Sequence, residues 1–271
     1  LLSDARRGVE YEFNLLPTTV ATEGFADLEQ RWPERGVGEH AVVVRVEVCL
    51  GLLEGVGPEL GWQKPELHLG ARHVLASGRQ GLWILDPLDG TSNFAAGVPF
   101  FSVSLALLIG GRPEIGLVYD PIRDECFMAQ RGRGSWLNGL SLGTQAPVHL
   151  PLARTIAVVD FKRLDRALAA KLGAEPPYGS QRNFGSSALD WCWLADGRFH
   201  VYLHGGQKLW DYAAGTLILS EAGGQAVTLD GEEVFTSGLD SRSVVATRDP
   251  ELFQAWQAWI VASACQWSGA L

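Results

Sequence analysis

The stretch Leu82-Trp83-Ile84-Leu85-Asp86-Pro87-Leu88-Asp89-Gly90-Thr91-Ser92-Asn93-Phe94 decides how the rest of this 271-residue chain is read. Its first four residues are a short apolar run closed by Asp-Pro. That pattern predicts a buried strand ending at residue 86, because proline removes a donor from the ladder. Two aspartates three positions apart at a strand end, with a proline fixing the backbone between them, can direct both carboxylates into one space. Carboxylates held together repel unless a proton or a cation sits between them. An all-oxygen site of this kind suits Mg2+, which keeps waters and takes phosphate oxygens in its open positions. Gly90 allows close backbone approach, the Gly90 and Thr91 amides can face phosphate, and the Thr91 hydroxyl can orient a water. The same residues also compose an Asx-type turn, which needs no ligand.

Outward from this stretch the chain reads as mixed α/β. Strands are expected at 100–109 and 114–119 around Gly110-Gly111-Arg112-Pro113, and at 126–130 and 134–137, with Asn138-Gly139 as a hairpin turn. A strand at 155–160, helices at 164–171 and 186–196, and a strand at 199–203 follow. Asp211 then opens a helix whose apolar residues Ala214, Leu217, Ile218 and Ala222 recur at helical spacing, and Gly223-Gly224 stops it. Strands at 225–229 and 244–247 and a helix at 250–262 complete the reading, which predicts alternating layers of helix and sheet. Upstream of residue 81, glycine and proline are dense, and residues 41–53 fit a strand or a short helix equally.

Composition narrows the classes. The formal charge of −9 disfavours a nucleic-acid polymer or an anionic membrane as the main partner, since both attract basic surfaces. The apolar run at 98–109 is too short for a bilayer span, and no signal-peptide core follows Leu1. Cys49, Cys126, Cys192 and Cys265 are scattered without a CxxC pair, which fits reduced thiols in a cytoplasmic protein. Trp256, Trp259 and Trp267 mark a candidate subunit interface.

A second segment, Trp210-Asp211-Tyr212-Ala213-Ala214-Gly215 with Glu221-Ala222-Gly223-Gly224, places a third aspartate at a helix start, where aspartate also serves as an N-cap. Between the two segments lies Arg182-Asn183-Phe184-Gly185-Ser186-Ser187-Ala188, followed by Ala195-Asp196-Gly197-Arg198. In order and approximate separation these three segments resemble the signatures of the inositol monophosphatase family of metal-dependent phosphatases, over about residues 81–247.

The resemblance implies a layered α-β-α-β-α sandwich, with a first half over 1–150, a second half over 151–271 and the site between them. It implies Mg2+ ions bound with Asp86 bridging two of them, Asp89 and Asp211 completing the second, and the Leu88 carbonyl on the first. Thr91 would position the attacking water, the Gly90 and Thr91 amides would hold phosphate, and Gly185 and Ser186 would touch the substrate alcohol. The implied function is hydrolysis of a small phosphate monoester (an inositol, sugar or nucleotide phosphate), and the resemblance is compatible with a homodimer.

Departures from the family pattern lie mainly upstream. A Glu-Glu pair expected before Asp86 is missing. Glu59 or Glu54 could supply the carboxylate in one register, whereas in another Ala71 and Arg72 of Gly70-Ala71-Arg72 occupy its place. Thr22-Glu23-Gly24-Phe25-Ala26-Asp27 loosely echoes a family stretch, which makes Asp27 the candidate partner of Thr91. His204 stands where the family places a glutamate facing sugar hydroxyls. A histidine there can bond a hydroxyl, meet a second phosphate when protonated, or be tied to backbone. These departures keep a rival open, a catalytically impaired homologue that binds a ligand or a protein.

Overall fold

The computed structural model of the chain describes residues 73–77, 81–147 and 149–265. The first sheet holds β1 (His73–Ser77), β2 (Gly81–Asp89), β3 (Ser102–Ile109), β4 (Arg112–Asp120), β5 (Glu125–Gln130), β6 (Gly134–Leu137) and β7 (Leu140–Ser141) in sequence order. Neighbouring strands run antiparallel. A short helix, α1 (Thr91–Ala96), joins β2 to β3. The second sheet has the order β11 (Gln225–Val227), β12 (Arg242–Thr247), β10 (Val201–Gln207), β8 (Ile156–Asp160), β9 (Ser180–Arg182). Its β10, β8 and β9 are parallel, and β11 and β12 are added antiparallel. The longer helices are α2 (Arg166–Ala174), α3 (Ser187–Asp196), α4 (Leu209–Glu221) and α5 (Pro250–Cys265).

Side-chain alternation assigns the layers. In β3, Val103, Leu105 and Leu107 join one apolar cluster while Ala106 and Leu108 join another on the opposite face. The second cluster takes in α3, α4 and Tyr202, Val244 and Ala246 of the second sheet, so these two helices lie between the sheets. Beyond the second sheet, Val159, Leu203 and Val245 pack against Leu168 and Leu172 of α2 and Trp256 and Ile260 of α5. Both faces of the central strands β3, β4, β8 and β10 are buried, which is why these strands read as continuous apolar runs. Sheet, helices, sheet and helices thus make four consecutive layers of the expected sandwich among the described residues. No helix among the described residues is long and apolar enough to cross a membrane.

Several boundaries differ from expectation for identifiable reasons. β2 does not stop at residue 86 but continues to Asp89. Its register with β3 breaks between Asp86 and Asp89, so Pro87 lies in the irregularity and no ladder bond is lost. Pro113, expected in a turn, sits within β4 beside a second register shift. α4 starts at Leu209, two residues before Asp211. The strand expected at 199–203 is instead β10 and runs on through His204, Gly205 and Gly206. The Asn138-Gly139 hairpin forms as expected, with φ of 48° and 81°. Elements β1, β9 and α1 were not anticipated.

Candidate metal centre

Asp86, Asp89 and Asp211 each offer a carboxylate oxygen, and these oxygens lie within 4.8 Å of one another. In an unbroken strand, residues three apart face opposite sides. The register break between Asp86 and Asp89 lets both face the same space, opposite Ser104 and Ser102 of β3. The Ser104 hydroxyl donates to the Trp210 carbonyl at 3.2 Å, which fastens the first turn of α4, and with it Asp211, beside Asp86.

Each carboxylate is oriented by local donors. Asp86 Oδ1 accepts the Leu88 amide at 3.0 Å, so the Asx-type turn is present together with the cluster. Asp89 Oδ2 accepts the Ser186 hydroxyl at 2.6 Å and the Ala188 amide at 2.8 Å. Asp89 therefore caps the start of α3 from 99 residues away, while Ser186, in the cap position, makes no cap bond of its own. Asp211 Oδ2 accepts the Lys208 amide at 2.8 Å from the third position of α4, not from the N-cap position.

Burial raises the carboxyl of Asp89, against hydrogen bonds from the Ser186 hydroxyl and the Ala188, Ser187 and Gly90 amides. Burial, with the charge of Asp89 adding to it, pushes Asp211 from 3.8 to about 6. Acids crowded in this way are relieved by a cation between them, and an all-oxygen donor set selects a hard divalent one. The residues therefore fit a metal of the Mg2+ type.

A raised carboxyl favours the folded state while protonated, and that benefit disappears as pH rises through the folded value. The metal-free protein should therefore lose about 2–3 kcal/mol of stability from Asp211 between about pH 4 and pH 7. Asp160, lowered chiefly by its hydrogen bond with His204, acts in the opposite sense and below about pH 4, outside this window. Urea unfolding at pH 5 and 7.5 checks the expectation, and saturating Mg2+ should shrink the difference, leaving the part that buried Asp190, outside the metal centre, adds in the same sense. Equal metal-free stability at both pH values would remove this electrostatic account.

The remaining expected site residues fall as follows. The Thr91 hydroxyl donates to the Leu88 carbonyl at 2.9 Å, so both lie at the metal loop. Gly90 is buried with φ 87°, next to Asp89 in the metal loop. Gly185 is exposed at the edge of the site, also with positive φ. Ser186 is a correction: it is 0% exposed with its hydroxyl on Asp89, so it supports a candidate ligand instead of touching a substrate alcohol. His204 is a second correction. It is 4% exposed; its Nδ1 accepts the Gly206 amide at 3.0 Å, leaving Nε2 to face Asp160 Oδ2 at 3.3 Å. Both ring nitrogens are engaged, so it has none left for a hydroxyl or a second phosphate. The next residue, Gly205, is packed against the chain before α2, where a Cβ would lie 1.9 Å from the Arg163 carbonyl oxygen. Asp27, Glu54, Glu59, Ala71 and Arg72 lie outside the described residues.

Sequence reasoning passed over Ser102 and Ser104, although two serines at alternate positions of an apolar strand were a legible signal of a polar face. It also passed over Asp190, which is buried beside this region. Burial, and then the charge of Asp89, holds its carboxyl well above the usual range.

The model of the inositol monophosphatase family matches residues 69–266, a wider span than the three motifs alone suggest. Nus factor SuhB of Pasteurella multocida is 41% identical over 162 residues, covering 58% of this chain and 60% of that protein. The chain thus spans about 60% of the length of this curated relative. Among solved structures, extragenic suppressor protein suhB from Bartonella henselae matches with TM-score 0.58 and 30% identity, over 66% of this chain and 69% of that one. SaIMPase-II with inositol monophosphate bound matches with TM-score 0.59 and 27% identity, over 70% and 75%.

Proposed function

The chain belongs to the inositol monophosphatase family, and from that premise we propose that it is a Mg2+-dependent phosphatase acting on a small phosphate monoester. The observation that carries this reading is the convergence of Asp86, Asp89 and Asp211. Bound there, Mg2+ supplies the acidity that makes water a nucleophile near neutral pH and the positive charge that offsets phosphate. The protein's own groups orient the reactants. Thr91 has one hydroxyl proton, donated to the Leu88 carbonyl, so its oxygen meets a water as an acceptor. Asp89 and Asp211 are held by amides and a hydroxyl and need not reorganise during turnover. Exposed Gly185 offers backbone at the mouth where the alcohol leaves.

The substrate belongs to the inositol, sugar or nucleotide monophosphates. This reading includes a cytoplasmic location and a homodimer, which fractionation and light scattering test. Phosphate release from a panel of such esters, with Mg2+ and with chelator, tests the function. Release that requires Mg2+ supports it, and no release from any ester by folded protein overturns it.

The Pasteurella relative's name favours a second reading, that the chain serves as a Nus factor, with hydrolysis or in its place. Asp89→Asn separates the two: a Nus-factor assay unaffected by this variant would show that the role does not depend on turnover.

A further inference from the structure

α1 is only six residues long, begins with Thr91 and contains no buried side chain, so apolar packing does little to hold it. Phe94 is 45% exposed and meets Phe101 edge-on. Asn93 is different. Its Nδ2 donates at 2.7 Å to the Phe100 carbonyl and at 2.7 Å to the Phe184 carbonyl, 91 residues away. The side-chain amide has two donor hydrogens, and both are used. The rings of Phe100 and Phe184 stack at 5.0 Å, Trp193 packs edge-on against both, and the Arg123 guanidinium lies over Phe100 and Trp193. Gly185 follows directly with φ +82°, and a Cβ there would come within 3.1 Å of the Asn93 carboxamide.

We propose that Asn93 is a positioning residue that braces the metal loop, through α1 and Thr91, against the Phe184-Gly185 turn of the second half. This rests on the hydrolytic reading for its kinetic consequence, though not for its structural one. The three aspartates are oriented by other donors: the Leu88, Ala188 and Lys208 amides and the Ser186 hydroxyl. Losing the brace therefore misplaces Thr91 and Gly185 while the metal ligands stay in place. Misplacement on the ångström scale is enough to cost on the order of a hundredfold in rate.

The test compares Asn93→Ala, which removes both donors, Asn93→Asp, which keeps the shape without donors, and Asn93→Ser, which can restore one bond. With the best ester from the panel, kcat/KM should fall at least about thirtyfold in the first two and less in Asn93→Ser. Mg2+ affinity should change by no more than about threefold, since the carboxylates do not depend on Asn93. Hydrogen exchange of the amides at 184–186 and 94–98 should speed up in Asn93→Ala while core strands β3 and β10, and the Ala188 amide on Asp89, remain protected. Gly185→Ala should reproduce the exchange change by displacing the carboxamide. Unchanged exchange at 184–186, or kcat/KM within threefold of wild type, overturns the proposal. If the wild-type protein hydrolyses no ester, the hydrolytic reading fails, and exchange still decides whether the brace exists.

Discussion

Replacing Asp89 by asparagine should lower Mg2+-dependent phosphate release at least about a thousandfold while leaving the protein folded, with stability changed by no more than about 1 kcal/mol. The carboxylate does two jobs that this substitution separates. As a charge it contributes to a site built from three acids. As an acceptor it takes the Ser186 hydroxyl and the Ala188 amide on one oxygen, and the asparagine carbonyl can take the same two bonds. Removing a carboxylate that burial disfavours offsets the weaker hydrogen bonds that remain. Asp89→Ala differs, because it leaves the start of α3 uncapped and a buried hydroxyl without its acceptor. It should destabilise by about 2–4 kcal/mol, combining a lost cap with a stranded polar group. Steady-state kinetics and urea unfolding of both variants check the separation. Activity retained in Asp89→Asn would remove Asp89 from the metal centre.

Gly90→Ala should destabilise by about 2–4 kcal/mol and abolish most turnover. Two effects combine at this position. A backbone with φ +87° strains any L-residue with a side chain, and the new Cβ would lie 2.9 Å from the Phe100 carbonyl oxygen and 3.1 Å from the Phe101 Cα. Both contacts are with the chain that leads into β3, so the metal loop has to shift. Gly97→Ala is the control, with similar φ of +73° and nothing within 4 Å of a Cβ. It should cost only about 1 kcal/mol and keep activity. Equal effects in the two variants would show that crowding against Phe100 is not the cause.

Much of the site was legible because its chemistry is concentrated in short segments. Asp86, Asp89 and Asp211 were read from motif order, and the structure brings them together. The segments could not show which polar groups face inward. Ser186 and His204 look like substrate contacts by position, yet both are buried and bonded within the fold. Burial depends on layers that close only when the two sheets and α3 and α4 pack, and no local pattern encodes it. β2 was cut short because proline normally ends a ladder, whereas here the ladder breaks around Pro87 and resumes at Asp89. α1 was missed because six residues without a buried face carry no periodic signal. Its anchor, Asn93, acts across 91 residues of sequence.

The central claim is that three aspartates form one divalent-cation centre, and calorimetric titration of Mg2+ at pH 6 and pH 8 tests it most directly. With Asp211 raised to about 6, binding should release protons at pH 6, be tighter at pH 8, and be lost in Asp86→Asn and Asp211→Asn. Absence of Mg2+ binding by the folded wild-type protein at millimolar concentration, or equal binding by the two variants, would contradict the account.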